Sequence, residues 1–411
     1  MALIGLAATQ TAANAAAPAA SAAQQAILRQ HLVKTANWRR ILWTKPPRVE
    51  GALHALHAHP TTGAGRTVPY WTTTITSPLD GNTYQASMVG SSPYEVRPHN
   101  TNIAYVPIVV RIHLGGFVLD PTVPGLCDTQ SPAYRFFNSP LFRPTTFISN
   151  GVNVSNVKGG AQLISAFQRA NFWKAAKGTD FGVTFVPSRS TPIVVDWYPS
   201  NPSDGVVGVP SDCSPALVPA PLVEINEFDA ELQAIAAAYA KPSQVPVTLA
   251  VDTAIYVGVT SQCCVLGYHN AIPVFGGTQL YAVGAYFDTN QAFGPHFADI
   301  TVWAHELGEL VDDPFVQSIP TVPGGDNNGL TPSWGHTGQV YGCQNNLEVG
   351  DPLTPDQEGD FVNYAIPGYG GFTYHTQDLA FHDWFYRTAS SSTGGKGSFI
   401  GNFGAGQPTL C

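Results

Sequence analysis

In a chain where Asp, Glu, Lys and Arg make up only 11% of 411 residues, four acids and a histidine fall within the nine positions from His305 to Asp313. The segment Trp303-Ala304-His305-Glu306-Leu307-Gly308-Glu309-Leu310-Val311-Asp312-Asp313-Pro314 holds no lysine or arginine, and the six residues before it are mostly apolar. The spacing predicts a helix near 297–313, stopped at Asp313-Pro314 because proline cannot donate to the helical ladder and restricts the residue before it. At 3.6 residues per turn His305, Glu309 and Asp312 share one face, while Trp303, Leu307, Leu310 and Val311 lie largely elsewhere. Carboxylates crowded on one face repel each other unless protons or a cation neutralise them. Any fold that buries this helix must supply that neutralisation, and a divalent metal is its simplest form. The competing reading is a solvated acidic face. The apolar neighbours of His305 and Glu306 point to burial instead.

The spacing approaches His-Glu-x-x-His, in which two histidines one turn apart hold zinc and the glutamate activates water. Here Glu309 stands where the second histidine would be. A carboxylate oxygen at that position still reaches a metal, so His305 and Glu309 are candidate ligands and Glu306 the candidate general base. One histidine among carboxylates makes a harder site than a histidine pair, so zinc is the first expectation and calcium or manganese the alternative. A helix rarely completes a site, and a third ligand is expected downstream. Glu348 is the first choice, since Glu348 and Asp351 bracket a glycine turn in Cys343-Gln344-Asn345-Asn346-Leu347-Glu348-Val349-Gly350-Asp351-Pro352. His375, His336 and His269 are further candidates, each with an ordinary structural role as the rival reading. Asp312 or Asp351 would orient the ligands, and Tyr341, Tyr374 or His375 would stabilise an oxyanion.

Three stretches together carry a resemblance: Cys263-Cys264-Val265-Leu266-Gly267-Tyr268-His269, the His305-Glu306-Leu307-x-Glu309 helix ending in Asp-Pro, and Leu347-Glu348-Val349-Gly350-Asp351. They are similar to a large group of uncharacterised secreted bacterial proteins, over residues 90–390, and more distantly resemble the plant phosphate-induced, or EXORDIUM-like, extracellular proteins over 255–355. Ser139-Pro140-Leu141-Phe142 and residues 166–172 also resemble the bacterial group. The resemblance implies a secreted, zincin-like protein. Carried across residue by residue, it points to His305, Glu306, Glu309, Glu348 and Asp351.

A chain of 411 residues is ample for one large domain or two ordinary ones. A hydrophobic fraction of 44% excludes disorder for its bulk, and Gly 40 with Pro 34 calls for many turns, hence a loop-rich α+β body. Strand-like runs at 103–114, 193–197, 245–259 and 281–286, with helical ones at 162–177 and 222–239, suggest a mixed sheet leading into the metal helix. That is the zincin layout by analogy. Residues 1–25 read as a signal-like or disordered N-terminus and 26–90 as an accessory or pro-segment. Residues 91–390 read as the zincin-like main domain and 391–411 as a C-terminal tail. A net charge of −9 with few lysines is a poor match to nucleic acid or an anionic membrane, which call for basic patches. No run approaches the roughly 18–20 apolar residues of a membrane helix. The cysteines Cys127, Cys213, Cys263, Cys264, Cys343 and Cys411 form no Cys-x-x-Cys pair. Their even number fits disulfides in an oxidising, extracellular setting, with adjacent Cys263 and Cys264 expected to take separate partners.

No Gly-x-Ser-x-Gly elbow or phosphate-cradling glycine motif occurs. The expectation is therefore a secreted metal-dependent hydrolase, most simply a metallopeptidase, acting on a peptide or cell-wall polymer. Two alternatives remain open. One is a non-catalytic wall-binding or self-assembling protein with a structural metal. The other is a metal-free glycosidase using Glu306 and Glu309, or one of them with Glu348.

Overall fold

The computed structural model describes residues 20–31, 67–211, 213–274, 277–288, 297–315, 329–335, 344–354 and 363–403. Tyr341, His336, Cys343 and Cys411 lie outside these residues, as does most of the N-terminal and accessory segments.

The fold is α+β, built on a seven-stranded mixed sheet. Its spine is the strand Asn100–Leu114. One edge of the spine runs parallel to Gln244–Val251; the other pairs first with Gly182–Pro187 and then with Ile193–Trp197. Pro107 has no N–H to donate, and it falls in the gap where the second edge changes partner, after Tyr105 and before Ile108. Gln244–Val251 is parallel to Gly277–Tyr286, which pairs antiparallel with the outer strand Gly267–Val274.

Alternation along the spine assigns its side chains to two cores. Ile103, Tyr105 and Val109 enter one core together with Trp303, Ala304, Leu307 and Leu310 of the helix Thr301–Asp312. Val106, Ile108, Val110 and Ile112 enter the other, with Phe228, Leu232 and Ile235 of the helix Ile225–Tyr239. The sheet is thus covered by a helix on each face, which explains why the spine is a nearly continuous apolar run. A four-stranded sheet, in the order Cys263–Val265, Ala254–Tyr256, Val218–Glu224 and Gly205–Val209, lies beside it. The hairpin Tyr70–Thr76 with Thr83–Val89 places Trp71, Met88 and Val89 in the core of the Thr301–Asp312 helix. Chain that precedes the boundary expected at residue 90 therefore helps to build that core. At the other end, Thr393, Ser398 and Phe399 of the expected tail are buried.

Several local expectations are corrected. The helix expected from 222 begins at Ile225, because Glu224 accepts hydrogen bonds from Asn226 N and Glu227 N as an N-cap and the preceding residues complete a strand. The helix expected from 297 begins at Thr301, because Asp299 turns into the left-handed region (φ 37°) and bridges Phe287. The run 162–177 is divided at Phe172 into Leu163–Asn171 and Trp173–Ala176. Cys263 and Cys264 do not take separate partners: they are bonded to each other across a cis peptide that sets their Cα atoms 3.0 Å apart. Cys127 is bonded to Cys213. No described helix is long and apolar enough to cross a membrane.

Candidate metal centre

The Thr301–Asp312 helix is buried along its whole length. Trp303 lies against the adjacent strand at Gly284, where a Cβ would come within 2.9 Å of the indole, and against Phe136 with ring centroids 4.6 Å apart. That packing leaves the turn carrying His305, Glu306 and Glu309 facing strand Gly267–Val274 and the chain around Glu348 to Asp351.

His305 is held from both ends. Its Nδ1 is 2.9 Å from Gln377 Oε1. The Gln377 amide is itself oriented, because its Nε2 donates to Gly350 O at 2.6 Å and to Thr354 Oγ1 at 3.2 Å. The oxygen facing His305 is an acceptor, so Nδ1 carries the proton. His305 Nε2 then points at Glu309 Oε1, 3.0 Å away, and at Asp351 Oδ1, 3.5 Å away. Gly350 is required here: a Cβ at that position would run into the His305 imidazole. The N–H groups of Gly350 and Asp351 donate to Glu309 Oε1 at 3.1 and 3.3 Å, tying the downstream loop to the helix.

A second histidine arrives from the sheet. Strand Gly267–Val274 alternates, so Tyr268 and Ile272 enter the far core while His269 turns to the helix. His269 Nε2 is 3.0 Å from the carbonyl oxygen of Asp313, which only accepts, so Nε2 carries the proton. Nδ1 faces Glu306 Oε2 at 3.8 Å and Glu309 Oε2 at 4.0 Å. Glu348 Oε2 lies 4.0 Å from His269 Nε2 and is buried without a hydrogen-bond partner.

Burial dominates the electrostatics. It pushes the Glu306 carboxyl up to about 8, with Asp351 adding to the rise. Burial and the neighbouring carboxylates push Glu309 and Glu348 well above the usual carboxylate range. Burial pushes His269 down to about 4, so it is neutral near pH 7. A neutral imidazole and crowded carboxylates are what a divalent metal binds. One ligand atom each from His305, Glu306 and Glu309 lie within 4.8 Å of one another, and the same holds for His269, Glu309 and Glu348. An orphaned buried carboxylate oxygen and two oriented imidazoles make this donor set fit a metal ion.

The remaining sequence candidates lie elsewhere. Asp312 faces His382 Nε2 at 3.2 Å rather than the glutamates. His375 donates its backbone N–H to Asp299 and places Nδ1 2.7 Å from Asp299 Oδ2, before the helix begins. Tyr374 donates its hydroxyl to Arg135 O. Gln377 and the carbonyl of Asp313 were not anticipated from sequence; a buried glutamine carries no local pattern that announces it. His269, a further candidate ligand from sequence, is turned by strand Gly267–Val274 towards Glu306 and Glu309. Comparison of the chain with protein-family models, with curated proteins and with solved structures finds no match.

Proposed function

We propose that this protein is a metal-dependent hydrolase, most simply a metallopeptidase, with Glu306 as general base and the metal held by His305, Glu309, Glu348 and His269. The observation that carries this reading is the pair of imidazoles. Each commits one N–H to a carbonyl-type oxygen and turns its other nitrogen towards buried glutamates. Metal-ligating histidines are oriented in this way by their outer partners. A bound divalent cation supplies Lewis acidity towards a substrate carbonyl and water, and keeps the neighbouring carboxylates ionised. Glu306 takes the proton of the attacking water and returns it to the leaving amine. Asp351, beside His305 Nε2, steadies the ligand set. Zinc suits the imidazoles, whereas calcium suits the oxygens. The disulfides support an oxidising compartment and hence export.

A second reading is favoured by one observation. His269, His305, Glu306, Glu309, Glu348 and Asp351 are all buried, as the ligands of a structural cation would be. Glu306→Gln separates the two. For a hydrolase, cleavage of an unfolded-protein substrate falls about 10²- to 10⁴-fold while bound zinc, measured by elemental analysis, stays the same. Loss of zinc along with the glutamate would make Glu306 a ligand. Absence of cleavage by the metal-loaded wild type would leave the structural reading.

A further inference from the structure

Glu309 belongs to both groups of candidate ligands, and its two oxygens face different histidines. Oε1 lies 3.0 Å from His305 Nε2, and Oε2 lies 4.0 Å from His269 Nδ1. The histidines fall in separate groups: His305 with Glu306, and His269 with Glu348. We infer that the centre holds two divalent cations bridged by the Glu309 carboxylate, one on the His305 side and one on the His269 and Glu348 side. The inference rests only on the metal-binding half of the proposed function, and it stands whether the centre is catalytic or structural.

Three features argue for two ions. A carboxylate bridging cations roughly 3.5–4 Å apart presents one oxygen to each, which matches how Glu309 divides its oxygens between the imidazoles. Each side also has an imidazole of its own, with its far N–H anchored on an oxygen acceptor, Gln377 Oε1 for His305 and Asp313 O for His269. The two anchored imidazoles face different oxygens of Glu309, so each ion has an imidazole of its own on its side of the carboxylate. Finally, Glu306, Glu309 and Glu348 when ionised carry one more negative charge than one divalent cation offsets, and Asp351 adds a fourth carboxylate 3.5 Å from His305 Nε2. Unbalanced charge in a buried site is costly. Glu348 Oε2, more than nine-tenths buried and without a hydrogen-bond partner, is the atom that the His305-side ion leaves unsatisfied and that a second ion would take.

The test uses the full chain, stripped with chelator, reloaded with excess Zn²⁺ and desalted, with zinc per chain read by elemental analysis. Two equivalents are expected for the wild type and one for both His269→Ala and Glu348→Gln. The second variant is conservative in shape and guards against misfolding, with circular dichroism as the check. Reloading with Mn²⁺ should give the exchange-coupled electron paramagnetic resonance spectrum of a bridged pair. One equivalent in the wild type would overturn the bridged pair and leave a single-metal centre. No bound metal would overturn both this inference and the proposed function. Two equivalents that survive both variants, or two magnetically isolated Mn²⁺ ions, would put the second ion elsewhere and likewise overturn it.

Discussion

His305 acts as a ligand only if its Nδ1 keeps the proton, and that depends on one amide. Gln377 faces His305 with its oxygen because its nitrogen is committed to Gly350 O and Thr354 Oγ1. Gln377→Leu removes the acceptor and frees the ring to change tautomer. Zinc affinity, measured by competition with a chromogenic chelator, should fall about 10- to 100-fold. An unchanged affinity would show that Gln377 does not orient the ligand. The periodicity of the helix put His305, Glu309 and Asp312 on one face, of which Asp312 instead faces His382; the likeness to His-Glu-x-x-His pointed to Glu306, and the glycine turn singled out Glu348. His269 is a further candidate from sequence that the strand Gly267–Val274 brings to the helix, whereas Gln377 is not legible there, because a residue's role as an outer partner is defined by what it touches, not by its own spacing.

Among the elements, the helix Thr301–Asp312 and the strand Gly277–Tyr286 form the contact on which the centre depends. Trp303, fully buried two residues before His305, lies over Gly284. In Gly284→Ala the new Cβ would sit 2.9 Å from Trp303 Cε2, and a rigid indole cannot yield as the tip of a flexible side chain does. Overpacking of this kind costs about 1–3 kcal/mol. Denaturant unfolding should show that loss, and metal affinity should fall with it as the helix shifts; full stability would mean that the helix re-seats freely. The stop of this helix was readable from Asp313-Pro314, but its start was not. The apolar run 297–300 satisfies the helical pattern as well as it satisfies the bridge from Asp299 to Phe287, and only the neighbouring strand selects between them.

At the scale of the whole molecule, the centre joins an edge strand, a buried helix, the 344–354 loop and strand Thr373–Gln377, and metal binding is therefore coupled to stability. Burial raises the carboxyls of Glu306, Glu309 and Glu348 above their ordinary values. A group raised in the folded state stabilises fully below its unfolded value, and that contribution is lost as pH rises towards the folded one, since the unfolded chain gives up its proton first. His269, pushed down from 6.5 to about 4, opposes this below pH 6.5, so the metal-free protein should lose stability most clearly between pH 6.5 and about 8, the latter being the value for Glu306. Zinc should reverse the trend, because binding expels those protons. Thermal unfolding across this range, with and without zinc, checks the sign. A metal-free protein that becomes steadily more stable up to pH 8 would refute the buried-proton account.

The sequence by itself determined the elements whose signal is local. The spine strand shows in its apolar run, and the acidic helix shows in its 3.6-residue spacing and its proline stop, because backbone geometry repeats over a few residues. The α+β class follows from those elements and from the density of glycine and proline. Only the tertiary structure decided what lies across from the helix. It brought His269 from 36 positions upstream (305 − 269) and Gln377 from 72 downstream (377 − 305), joined Cys263 to Cys264, and set the 70–89 hairpin into the core of the metal helix. Contacts between distant parts of a chain are chosen by the packing of whole faces, and no window of neighbouring residues contains that information.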